Sequence, residues 1–82
     1  MPDKSKADRL KETIHLLKEL GRVGFLKVDR GYNEVKSILT KWVNDGEQVT
    51  TEVEFPRYDR IAKISLPKGD DKVAEITLKA VV

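Results

Sequence analysis

The 82-residue chain has no cysteine, one histidine, one methionine, three prolines and five glycines, and only 6% of it is aromatic. Without cysteine there are no disulfides and no thiol nucleophile. No stretch approaches the ~18 consecutive apolar residues that cross a bilayer, and the charged start Met1-Pro2-Asp3-Lys4-Ser5-Lys6 lacks the apolar segment of an export signal. The expected location is therefore the cytoplasm, with no membrane partner. Neither sign of charge dominates, since sixteen Lys and Arg against fourteen Asp and Glu leave a formal +2, far from the excess of a nucleic-acid coat protein. There is no Gly-rich phosphate loop, internal repeat, low-complexity tract or Pro/Gly/Ser linker. About 80 residues bury one core but hardly two domains or a deep cofactor cavity. Residues 1–82 are thus expected to form a single domain without a cofactor, frayed over 1–6.

What is present is charge and periodicity. Residues 1–30 hold eight basic side chains (Lys4, Lys6, Arg9, Lys11, Lys18, Arg22, Lys27, Arg30) against five acids, and the remainder balances at eight against nine. From Ser5 to Leu20 the residues Leu10, Ile14 and Leu17 recur at helical spacing, widened by Leu16 and Leu20, which predicts a helix whose stripe is core. Ser5, with Asp8 three residues on, supplies an N-cap and Gly21 a stop. Residues 23–28 read as either a brief strand or an extended crossover. Val35, Ile38, Leu39, Trp42 and Val43 then fit the i, i+3, i+4, i+7, i+8 template, so a second helix is expected. Asp29 or Asn33 caps it, Asn44-Asp45-Gly46 ends it, and Trp42 belongs to the core with its indole N–H reaching the rim.

At Glu47 the period changes from 3.6 to 2. Val49, Thr51, Val53 and Phe55 alternate with polar residues up to Pro56, and Pro56-Arg57-Tyr58-Asp59 makes a turn. A second strand follows from Arg60 to Leu66 with Ala62, Ile64 and Leu66 inward, then Pro67-Lys68-Gly69-Asp70 turns again. Lys72 to Val82 closes the chain with Ala74, Ile76, Leu78 and Ala80 inward. Short connections favour consecutive antiparallel pairing. The expected fold class is α+β: two helices packed on one face of a three-stranded antiparallel β-meander, with 23–28 as a possible short fourth strand. On the wet face Lys63 is expected between Glu52 and Glu75.

The inventory for catalysis is thin. His15 lies on the helix face opposite the apolar stripe, Glu52 and Glu54 share an open sheet face, and Asp70 and Asp71 read as turn residues. No cleft or convergent partner is implied for any of them, so the chain is not expected to be an enzyme and no metal site is expected. One constellation remains. If the second helix packs antiparallel to the first strand, its N-terminus meets the turn at 56–59, and Arg30, Tyr32, Arg57, Tyr58 and Arg60 converge. Arginines and tyrosines around a helix N-terminus suit phosphate or carboxylate. The competing reading is that Tyr58 and Phe55 cap the core edge while Asp59 and Glu34 neutralise the arginines. The functional expectation is a small non-enzymatic binding module of adaptor or inhibitor type, working through a protein partner or self-association along edge strand 72–82. The alternative is a nucleic-acid binder using the basic first helix and the Arg/Tyr turn.

Overall fold

The change of period at Glu47 divides the chain into a helical half and a sheet half. The computed structural model describes residues 3–24 and 28–81. Helix α1 spans Lys6–Arg22 and helix α2 spans Arg30–Asp45. Strands β1 (Val49–Phe55), β2 (Arg60–Leu66) and β3 (Glu75–Ala80) form an antiparallel sheet in the order β1-β2-β3. The protein is an α+β domain with two helices and a three-stranded antiparallel meander.

The helix ends follow from local chemistry. Ser5 Oγ accepts the Asp8 N–H at 3.1 Å, as the N-cap reading requires. Gly21 does not stop α1, because the helix runs on to Arg22, where the Val23 N–H closes it on Glu19 O and the Gly24 N–H on Gly21 O, each at 3.1 Å. Arg22 in that last turn reaches back to Glu19 at 2.6 Å. Asp29, rather than Asn33, caps α2, its carboxylate accepting the Gly31 N–H at 2.9 Å. Gly46 ends α2 at φ 70°, where a side chain would be strained, and its N–H bonds Trp42 O at 2.8 Å. Of the expected fourth strand, residues 25–27 lie outside the described residues. Val23, Gly24 and Val28 lie in exposed turns.

The core is built mostly from α2 and the sheet. Val35, Leu39, Trp42 and Val43 of α2 bury against Val53, Phe55, Ala62, Ile64 and Leu66, with Leu20 of α1 and Ala74 closing the sides. The alternation in β1 and β2 places the anticipated residues inward. In β3 burial fades along the same face: Ile76 and Leu78 are half-buried, and Ala80, two residues on, is exposed. β3 starts at Glu75 rather than Lys72, because residues 70–72 prolong the turn and Glu12 Oε1 of α1 takes the Ala74 N–H at 3.0 Å. That start sets the register. Lys63 pairs with Glu52 as expected, but its other neighbour is Thr77, and Glu75 faces Ser65.

From Asp3 onward the leading segment bonds to the rest of the fold. Asp3 bridges Gly69, and the Lys4 N–H bonds Lys68 O at 3.0 Å. The Lys4 ammonium is buried 3.2 Å from Glu12 Oε2. Arg9 donates through Nε and Nη2 to Val43 O at 3.1 and 2.9 Å and through Nη1 to Lys4 O. One guanidinium thus joins the leading segment, α1 and the last turn of α2.

Two stability outcomes follow from this packing. Trp42 is fully buried and its indole N–H donates to Pro67 O at 3.0 Å. Trp42→Ala is expected to cost about 3–5 kcal/mol in chemical denaturation, through the cavity and the orphaned carbonyl. Thr13 Oγ1 is buried with no hydrogen-bond partner among the described residues. Thr13→Val removes that unsatisfied hydroxyl and is expected to raise stability by about 1 kcal/mol. An unchanged or lowered denaturation midpoint would show that the hydroxyl is satisfied.

Candidate functional site

The first candidate lies where α2 begins. Gly31 sits in the second position of α2 against the end of β1: a Cβ there would stand 2.6 Å from the Phe55 ring and 2.9 Å from Glu54 O. Only glycine allows so close an approach, and it brings the helix N-terminus to the turn that follows β1. Pro56 opens that turn as a 3-10 helix, Pro56–Tyr58, and Asp59 leaves it in the left-handed region at φ 52°. The expected meeting of helix N-terminus and turn therefore occurs.

The five residues expected to converge there do not form one cluster. Arg30 is exposed and lines a depression with Gly31, Glu34, Glu52, Glu54 and Pro56. Tyr32 is buried in the core on the side facing α1. Tyr58 is half-buried with its ring edge-on to Phe55, centroids 6.4 Å apart, as the core-edge reading has it. Arg57 and Arg60 are exposed, and Arg60 Nη1 bonds the Asp59 carbonyl at 3.0 Å. Neither lines the Arg30 depression.

Electrostatics at this end disfavours an anion. Three acidic residues, Glu34, Glu52 and Glu54, line the depression against one arginine. The Asp29 carboxylate already accepts the Gly31 N–H that a phosphate would use. The basic first helix is depleted in a similar way. Lys4 and Arg9 are consumed by internal bonds and Arg22 pairs with Glu19, so among the described residues up to Arg30 the exposed cations without such a bond are Lys6, Lys11, Lys18 and Arg30.

The second candidate is a surface expected to be core. The face of α1 turned inward is centred on Thr13 and Leu20, with Leu16 and Leu17 half-buried beside them. Leu10 and Ile14 lie off that face and remain 49% and 46% exposed. The apolar arc of α1 is therefore wider than the core covers. Ile14 and Leu17 continue into an open depression with Lys18, Gly21 and Tyr32. The sequence signal was the width itself: five apolar residues spread over two faces, with a threonine at the centre of the buried one. His15 is exposed as expected, and no group of three or more His, Asp or Glu among the described residues is placed to hold a metal.

Compared with family models, curated proteins and solved structures, the chain matches none. Its reading rests on geometry alone. The close approach at Gly31 is the testable part of the first candidate: Gly31→Ala must push back the Phe55 ring and the Glu54 carbonyl, and is expected to destabilise by about 1–3 kcal/mol. A melting temperature equal to the wild type's would show that α2 does not abut β1 this tightly.

Proposed function

We propose that this protein is a non-enzymatic binding module that works by docking an apolar, acid-flanked helix of a protein partner onto α1. The observation that carries this reading is the exposure of Leu10 and Ile14, one turn apart, in a helix whose buried face lies elsewhere. Together with Leu17 they offer the i, i+4, i+7 ladder that an amphipathic helix fits. Lys6 stands one turn before Leu10, and Lys11 and Lys18 stand i−3 and i+4 from Ile14, so the ladder is bordered by ammonium groups. Such a border favours acidic residues beside the partner's apolar face and steers its approach.

A nucleic-acid ligand draws less support, since the arginines and tyrosines expected to carry it are scattered and the helix N-terminus is surrounded by carboxylates. The test uses wild type and Ile14→Glu side by side, as baits in nuclease-treated lysate of the native host and then with the captured protein purified. Ile14 is half-exposed, so the substitution is expected to change stability by under about 1 kcal/mol while reducing partner binding at least tenfold. Capture that ignores Ile14, or that disappears with nuclease and weakens steeply with salt, overturns the reading in favour of another surface or of nucleic acid.

A further inference from the structure

Among the described residues β3 is an edge strand with one hydrogen-bonded neighbour. The Val81 N–H donates to Asp59 O at 3.0 Å, across the ladder that pairs Arg60 with Ala80. In an antiparallel ladder the N–H and C=O of one residue point the same way and alternate along the strand. Glu75, Thr77 and Lys79 therefore turn their backbone groups toward β2, and Ile76, Leu78 and Ala80 turn theirs to the open edge. At the start of the strand this edge is plugged, because Glu12 holds the Ala74 N–H. From Ile76 to Ala80 no such plug is present among the described residues.

The side chains of β3 are left incomplete in the same way. Its two charges, Glu75 and Lys79, face Ser65 and Ile61 across the ladder, and neither makes an ion pair among the described residues. On the other face Ile76 and Leu78 pack against the core but are only half-buried. On the wet face beyond the charges, Val73 and Val81 are 69% and 51% exposed.

We infer that the open edge of β3 pairs antiparallel with β3 of a second copy of this chain, about a two-fold axis through Thr77. This goes beyond the docking surface on α1, since it uses a different edge of the molecule and a different partner. The register completes every deficit at once. Glu75 falls opposite Lys79 of the second copy, Ile76 opposite Leu78, Val73 opposite Val81 and Thr77 opposite itself, each pair on one face. Ile76 and Leu78, whose backbone groups point outward, become the hydrogen-bonded pairs. Sliding the register by two residues in either direction sets Glu75 against Thr77 or Val81 and loses both ion pairs. The other edge of the sheet lacks this property. β1 carries Glu52 and Glu54 with no basic residue, so pairing β1 with itself gains no opposite charge, and Pro56 closes its end.

The test is a charge exchange on the exposed face, read by sedimentation equilibrium and light scattering over a concentration series. The wild type is expected to rise from 9.3 kDa toward twice that mass. Glu75→Lys and Lys79→Glu each set like charges opposite one another twice per dimer, and are expected to move the dimerisation midpoint to about tenfold higher concentration or more. The double variant restores the wild-type midpoint. An equimolar mixture of the two single variants forms a heterodimer where each alone stays monomeric. Hydrogen exchange gives a second reading without mutation: the Ile76 and Leu78 amides gain protection with concentration, while the Thr77 amide is protected throughout. A wild type that remains at 9.3 kDa, single variants that leave its midpoint unmoved, or edge amides indifferent to concentration overturn the inference. Ile14→Glu is expected to leave the dimer intact, so failure here and failure of the docking reading are separate results.

Discussion

The position of α2 on the sheet is fixed by the Trp42 indole. Its ring is fully buried among the apolar side chains of β1 and β2, and its N–H is spent on the Pro67 carbonyl at the end of β2. That bond joins the last turn of α2 to the turn leading into β3, so the helix can neither slide along the strands nor rotate without burying an unpaired donor. With Trp42 held there, the first turn of α2 arrives at Phe55, where only a glycine at 31 fits, and its last turn arrives at Arg9. Trp42 in the last turn of α2 and Gly31 in its first thus fix the helix near both ends.

Much of the charge that colours the first thirty residues is structural. Arg9 satisfies a carbonyl in the last turn of α2 and another in the leading segment, and Lys4, although buried, is paired with Glu12. A buried lysine is costly unless its partner is close and itself bonded, and Glu12 meets both conditions by also accepting the Ala74 N–H. This one carboxylate anchors the leading segment, ties α1 to the residue before β3 and ends the open edge of the sheet. Composition alone, which counts these residues as a basic patch, overstates what α1 presents to solvent.

The parts of the fold that were legible in the sequence are those set by neighbours along the chain. The change of period at Glu47, the caps at Ser5 and Asp29, the stop at Gly46 and the limits of β1 and β2 follow from spacing and turn chemistry, and the structure agrees with them. The misreadings concern pairings between distant residues. Nothing local says that Glu12 will bind Ala74, so the later start of β3 and the displacement of Glu75 from Lys63 to Ser65 were not visible. Helical spacing likewise shows that Leu10, Ile14 and Leu17 share a side of α1 without showing which side meets the sheet. Thr13, which is no part of the apolar pattern, occupies the centre of the buried face and leaves Leu10 and Ile14 outward. The five Arg/Tyr residues stand apart for a related reason: the meeting of α2 with the turn was legible, and Glu34 was read as a neighbour of the arginines, but Glu52 and Glu54 of β1 were counted only as a solvated face.

The two proposed surfaces are geometrically compatible, and this bears on how the protein would act. Residues directly opposite in an antiparallel pair project from the same face. A two-fold at Thr77 therefore keeps both pairs of helices on one side of a continuous six-stranded sheet. The Leu10 and Ile14 side chains of each copy, turned away from the core, then point outward from that same side. A partner carrying two suitable helical segments meets both sites with the second encounter intramolecular, so its avidity exceeds the single-site affinity without any new contact. Weak docking by two exposed residues on each copy is then sufficient, which fits a surface this small. In this arrangement Glu75 and Lys79, far from the docking residues in sequence and on the opposite face of the sheet, govern partner binding by setting the valency of the module.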